Sequence, residues 1–202
     1  MKGYATNNSP YARKVRVAAI ETNQNDLIDW EMITREERAV LIPKINPLGK
    51  VPVVVLDSGE ALFDSPVICA WLDSQHNGHK LIPENLPNRL KALCLEALGD
   101  GLGEAAIAEA MESSRPETQR SQALVDRQHG KVMNALKALE KVCNKFVNPL
   151  SIGEISVACA IGYMDFRNVA AGWRQEFSNL GAWYDETQER PSFSQTAINP
   201  DL

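Results

Sequence analysis

The run Val53-Val54-Val55-Leu56, entered through Pro52, limits what this chain can fold into more than any other stretch. Consecutive apolar, mostly β-branched residues without polar alternation suit a strand covered on both faces. Pro52 has no N–H to give a ladder, so it belongs at the strand's first position. Asp57-Ser58-Gly59-Glu60 then predicts a hairpin turn into a further strand, Ala61-Leu62-Phe63. A covered strand needs helices on both sides of its sheet, and the flanking sequence offers them.

Gly3 to Thr6 reads as a short strand, and Ser9-Pro10 as a helix start, with serine as N-cap and proline at the first helical position. The helix is expected over about Pro10 to Asn23. Leu27 to Ile33 alternates in part, with Ile28, Trp30 and Met32 on one face, as a half-buried strand does. Glu36 to Leu41 predicts a short helix. Asp64-Ser65-Pro66 is a second serine-proline helix start, leading into Val67, Ile68, Trp71 and Leu72. The order is strand, helix, strand, helix, strand, strand, helix, which describes a small mixed four-stranded sheet with helices.

Gly78, Pro83 and Pro87 cluster between Asn77 and Asn88 and mark a linker. Beyond it the patterns are helical: Val125, Gln128, Val132, Ala135, Leu139, Val142 and Phe146 follow one period, and Ile152, Ile155, Cys159, Gly162, Tyr163 and Phe166 another. Ser151-Ile152-Gly153-Glu154 fits a capping box, with Leu150 and Ile155 placed for a hydrophobic staple. The second part is expected to be an all-α helical bundle.

A net charge of −5 repels phosphate backbones, so nucleic acid is not an expected partner. The first residues turn polar at once, unlike a secretory signal, and no apolar run is long enough to span a bilayer. A soluble, cytoplasmic chain with no membrane partner is expected. Cys69, Cys94, Cys143 and Cys159 are widely spaced and read as reduced, buried packing residues. His76 and His79 have a ligand-like spacing but no companion cysteine or carboxylate cluster, so no metal site is expected.

Three segments taken together, Ser9-Pro10-Tyr11-Ala12-Arg13-Lys14-Val15-Arg16, Asn46-Pro47-Leu48-Gly49-Lys50-Val51-Pro52-Val53 and Phe63-Asp64-Ser65-Pro66-Val67-Ile68, resemble the successive signatures of bacterial glutathione transferases. Ser151 to Ala158 is similar to that family's capping box, although Glu154 stands where a common form has aspartate. Trp183-Tyr184 and Arg190-Pro191-Ser192-Phe193 resemble its C-terminal end. The resemblance implies an α/β thioredoxin-like domain over residues 1–76, a linker over 77–88 and a helical domain over 89–202. It also implies a homodimer and a detoxifying glutathione transferase of the serine type, with glutathione as co-substrate and no further cofactor. The alternatives are a non-catalytic glutathione-binding or interaction protein on the same fold, or a glutathione-dependent peroxidase, lyase or dehalogenase.

Glutathione carries two carboxylates, one ammonium and one thiol. A helix N-terminus offers free N–H groups and a partial positive charge to anions. By the resemblance, Ser65 takes the γ-glutamyl carboxylate and Asp64 accepts from the ammonium. The resemblance also implies that Val51 pairs its backbone with the cysteinyl part, beside a cis bond to Pro52. As in serine-type members of that family, Ser9 is the candidate for activating the thiol, its rivals being Thr6, Asn7, Asn8 and Tyr11. Tyr4 falls within the first strand, and no cysteine lies in the first loop. Lys50 and Arg35 are candidates for the glycyl carboxylate, with Arg38 and Lys44 nearby in sequence. The acceptor pocket is expected between the first-domain loop and a helix over about Leu90 to Met111, with Leu102, Ile107 and Met111 as apolar members either of it or of the core. Arg13, Lys14 and Arg16 read as a solvated helix face, and His129 has no partner in view.

Overall fold

The structure, a computed structural model, describes residues 1–198. Strand β1 (Lys2–Ala5) leads through a short turn to helix α1 (Pro10–Glu21). After a 3₁₀ turn at Asn25–Leu27 come β2 (Asp29–Met32) and α2 (Arg35–Leu41). Then β3 (Val53–Val55), β4 (Ala61–Leu62) and α3 (Ser65–Ser74) complete the first part. The sheet order is β2-β1-β3-β4, with β1 and β2 parallel and the other pairs antiparallel. This mixed four-stranded sheet is followed by α4 (Leu86–Ser113), α5 (Gln122–Glu140), α6 (Ile152–Phe166), α7 (Trp173–Glu176), α8 (Ser178–Gln188) and α9 (Pro191–Ser194). Among the described residues no strand follows β4.

Several local readings shift for identifiable reasons. Helix α4 begins at Leu86, inside the stretch read as linker. Asn85 caps it by accepting from the Asn88 N–H at 3.3 Å, and Pro87 falls in the first turn, where no N–H is needed. Met32 is exposed, whereas Ile33 turns inward to join Ile42, Val51 and Val53 in a small core beneath the sheet end. Val142 and Phe146 lie beyond the end of α5, on a 3₁₀ turn's flanks. Cys94 is exposed, in contrast to the expectation, because its side of α4 faces outward; Cys69, Cys143 and Cys159 are buried, and all four are free.

The largest correction concerns α1. It packs against α3, α6 and α9, so it is wrapped on all sides. Arg13 is 4% exposed and Lys14 1%, not members of a solvated face. Helix α6 is buried along its length. At its start, the Ser151 N–H donates to Glu154 Oε2 at 2.9 Å, the Gly153 N–H donates to Ser151 Oγ at 3.2 Å, and Leu150 and Ile155 are buried at the staple positions. The α4–α6 contact is close at Gly99, where a Cβ would stand 2.6 Å from Ser156 Oγ and 2.7 Å from the Val157 nitrogen.

Candidate functional site

The sheet register gathers four junctions at one end. Strands β1 and β2 run parallel and finish at Ala5 and Met32. Antiparallel β3 starts beside them, with Val53 opposite Tyr4, and β4 ends beside the start of β3, with Leu62 opposite Val54. The turn after β1 carries Ser9, Arg35 opens α2 just after β2, the loop before β3 carries Lys50, Val51 and Pro52, and Asp64 and Ser65 open α3 just after β4. Residues scattered over the first third of the chain therefore share one edge of the molecule.

Ser9 is the N-cap of α1. Its Oγ accepts the Ala12 N–H at 3.2 Å, and Pro10 follows at the first helical position. Among the described residues the Ser9 hydroxyl donates to nothing, so its proton is uncommitted. The rival Tyr11 is different: its hydroxyl donates to the Asp100 carbonyl at 3.2 Å. Burial, reinforced by Asp100, Glu104 and Asp64, pushes that phenol well above its ordinary range. Tyr11 is thus a neutral, engaged group facing α4.

The β1–β3 ladder stops at Tyr4–Val53, and the N–H and C=O of Val51 have no hydrogen-bond partner among the described residues. The Val51–Pro52 peptide is cis. Asn46, buried to 1% exposure, holds the loop that delivers Val51: its Nδ2 donates to the Lys50 carbonyl at 2.9 Å and its Oδ1 accepts the Leu48 N–H at 3.0 Å. The sequence signal was present, since asparagine before Pro-x-Gly is a turn former whose side chain bonds its own backbone two residues on.

At α3 the helix start falls one residue earlier than at α1. The Asp64 carbonyl accepts the Ile68 N–H at 3.1 Å, so Asp64 holds the N-cap place and Ser65 is the first helical residue. The Asp64 side chain caps nothing and is exposed, while Ser65 is buried with its backbone N–H among the unpaired donors of the first turn. Arg35 and Lys50 are exposed at the same end.

On the facing side Gly103 of α4 lies against α1: a Cβ there would stand 3.7 Å from both Pro10 Cγ and the Tyr11 hydroxyl. Of the three residues expected in the pocket or the core, Leu102 is buried in the core, Ile107 is half-buried, and Met111 is 60% exposed. Further along, a cavity of about 370 Å³ opens between the ends of α4 and α6, lined by Glu109, Ala110, Phe166 and Arg167 among others. His129 does have a partner, its Nδ1 lying 3.1 Å from Glu109 Oε1. His76 Nε2 lies 3.3 Å from Asp73 Oδ1 and His79 Nε2 lies 3.3 Å from the Leu150 carbonyl. Among the described residues there is no cluster of metal-ligating side chains, and no helix is long and apolar enough to cross a membrane.

Comparison with known proteins agrees with this fold. Residues 8–75 match the glutathione S-transferase N-terminal domain and residues 122–186 its C-terminal domain. The uncharacterized GST-like protein YibF of Escherichia coli (strain K12) is 31% identical over 199 residues, covering 97% of this chain and 98% of YibF. A glutathione S-transferase from Methylobacillus flagellatus KT, solved with GSH bound, is 36% identical, with a TM-score of 0.92 over 98% of this chain and 99% of that one. A glutathione transferase family member from Pseudomonas fluorescens Pf-5 was solved with bound glutathione, and also with bound S-(propanoic acid)-glutathione. In the glutathione-bound structure it is 36% identical, with a TM-score of 0.93 over 98% of each chain. With both family domains present in order and relatives matching end to end, the chain belongs to the glutathione S-transferase family.

Proposed function

We propose that this chain is a glutathione transferase that binds the tripeptide at the shared sheet end, stabilises its thiolate, and directs it at a small electrophile. One observation carries the reading: an uncommitted hydroxyl proton at Ser9, unpaired backbone at Val51 and a free carboxylate next to helix-start donors at Asp64–Ser65 occupy adjoining junctions. Each group complements a different part of glutathione. The two relatives solved with glutathione bound support the same ligand.

In this reading the tripeptide adds to the sheet edge through Val51, much as a strand does. Asp64 takes the ammonium, the Ser65 hydroxyl and N–H take the γ-glutamyl carboxylate, and Arg35 or Lys50 meets the glycyl carboxylate. Ser9 donates to sulfur while continuing to accept from Ala12, as one hydroxyl can do both. Lowering a thiol pKa from about 8.5 by two units needs roughly 2.7 kcal/mol of preferential thiolate stabilisation. A hydrogen bond to a charged acceptor contributes about 1.5–3 kcal/mol, and the α1 dipole about 0.3–1 more. The two suffice together. Proximity of the electrophile, held between the first-domain loop and α4, supplies the rest.

The first-domain boundary near residue 76, a cytoplasmic setting and a role in detoxification belong to the same reading. So does a homodimer, for which the exposed Val67, Leu86 and Leu90 offer apolar surface to a second copy. Titration calorimetry with glutathione, together with thiolate absorbance against pH, tests the proposal. Ser65→Ala is expected to weaken binding roughly tenfold or more. Ser9→Ala is expected to raise the bound thiol's pKa by one to two units, roughly, with affinity nearly unchanged. Absence of wild-type binding at millimolar glutathione refutes the ligand. Binding with an unshifted thiol refutes catalysis and leaves a glutathione-binding protein.

A further inference from the structure

Lys14 Nζ sits 3.0 Å from Glu96 Oε1 and 2.8 and 2.7 Å from the two oxygens of Asp100, fully inside the protein. Glu96 and Asp100 are one turn apart on α4 and share the face turned toward α1. Ser156 of α6 donates to Asp100 Oδ1 at 2.7 Å, and the close α4–α6 approach at Gly99 is what brings that hydroxyl there. Two ionised carboxylates around one ammonium carry a net negative charge, buried at Glu96 and partly open to solvent at Asp100, and burial pushes Glu96 above the ordinary carboxylate range despite Lys14. Lys14 itself is held protonated: burial works against its charge, but Cys69, Asp100 and Glu96 around it more than offset that.

This cluster touches the site at one residue. Asp100, whose side chain binds Lys14, also accepts the Tyr11 hydroxyl on its backbone carbonyl. Tyr11 and Pro10 belong to the first turn of α1, which Ser9 caps. Resting on the reading of Ser9 as thiol activator, we propose that Lys14 is a positioning residue: it pins Asp100, and through it the first turn of α1, against α4, and it neutralises charge behind Ser9. The titratable groups around this turn are Tyr11 itself, Asp64 at the start of α3, Asp100 and Glu104 on α4, and Tyr163 on α6. Around Lys14 they are Glu96 and Asp100 on α4, Cys69 on α3, with Cys159 of α6 and Arg13 of α1 close by.

The test is the bound thiol's pKa in variants that keep volume and alter charge. Ser9 and Lys14 are five residues apart on one helix, placing the ammonium roughly 10 Å from the thiolate position. A unit charge at that range through an effective dielectric of about 20 moves a pKa by about one unit. Lys14→Met is expected to raise the thiol pKa by about half to one unit, since loss of the ammonium disfavours the thiolate while partial proton uptake by the orphaned carboxylates offsets some of that rise. Asp100→Asn is expected to lower it by a similar amount, and the double variant to return it toward wild type. A purely structural role moves both single variants in one direction. Equal pKa in folded Lys14→Met and wild type, or a double variant as displaced as Lys14→Met, overturns the proposal. If Lys14→Met does not fold, an unmoved or raised thiol pKa in Asp100→Asn does so. Should wild type bind no glutathione, the functional reading fails, and amide exchange decides the clamp alone: Ala12, whose N–H is held by Ser9, exchanges several-fold faster in Asp100→Asn, and an unchanged rate sinks it.

Discussion

Gly99→Ala is the substitution for which two physical effects point in opposite directions and the geometry decides between them. In an exposed helix, alanine for glycine stabilises by about 0.8–1.0 kcal/mol. At residue 99 the new Cβ meets Ser156 Oγ at 2.6 Å, the Val157 nitrogen at 2.7 Å and the Ser156 carbonyl carbon at 2.8 Å. Two of those atoms are backbone, so relief requires α6 to move away from α4. Overpacking of this kind costs about 1–3 kcal/mol in a core that repacks, and more where backbone must shift. Displacing α6 also draws Ser156 from Asp100 and uncovers buried apolar surface on both helices. The net expectation is a loss of about 2 kcal/mol or more, hence a fall in Tm of roughly 4–8 °C for a chain of this size. Gly130→Ala on α5 is the control, since nothing lies within 4 Å of its would-be Cβ. It is expected to raise Tm by about 1–4 °C. Thermal melts of both variants by far-ultraviolet circular dichroism, at one protein concentration, are the assay. A Gly99→Ala protein as stable as wild type refutes the close-packing argument.

Glu154→Ala removes the acceptor for the Ser151 N–H, the Val147 N–H and the Ser151 hydroxyl. A loss of about 2–3 kcal/mol is expected in a urea melt, and a loss under about 0.5 kcal/mol would show that the cap is dispensable. Glu21 accepts from Arg190 Nη2 at 2.7 Å and Ser192 Oγ at 2.5 Å; burial pushes its carboxyl up, but these donors together with Arg190's charge hold it below the usual range. A depressed carboxyl contributes stability that is present above the unfolded value near ~4.3 and lost as pH falls through the folded one. Glu21→Gln is therefore expected to lower stability at pH 7 and to flatten its fall between about pH 5 and 3, and parallel pH–stability curves would refute the assignment.

What was legible from the residues was local. Ser9-Pro10 starts α1 and Ser151 to Glu154 starts α6, since a cap needs only its next few neighbours. The valine run gave β3 for a similar reason: its pattern is incompatible with a half-solvated element. The one-residue difference between the two serine-proline starts was not legible, because it depends on which carbonyl closes the first helical bond. At α1 that is Ser9, bonded to the Arg13 N–H, and at α3 it is Asp64, bonded to the Ile68 N–H. His129 looked solitary because Glu109 lies on another helix.

The misreading of Arg13 and Lys14 has the most instructive cause. A basic run on a short helix is ordinarily solvated, and nothing within ten residues of α1 contradicts that. Their partners lie far along the chain: Lys14 meets Glu96 and Asp100, while Arg13 Nη2 donates to Gln188 Oε1 at 2.9 Å and to the Phe193 carbonyl at 3.1 Å. Gly162 makes room for the guanidinium, since a Cβ there would stand 2.4 Å from Arg13 Nη1. Burying two cations costs several kcal/mol each unless they are well paired, and here the hydrogen-bond partners come from the helical part. Helix α1 is also the element whose first turn carries Ser9. The helix that supports the candidate thiol site thus has its interior completed by α4, α8 and α9, and the sheet part by itself would leave both cations unpaired. Placement of the site is therefore a property of the whole chain, although every residue proposed to touch glutathione lies before α4.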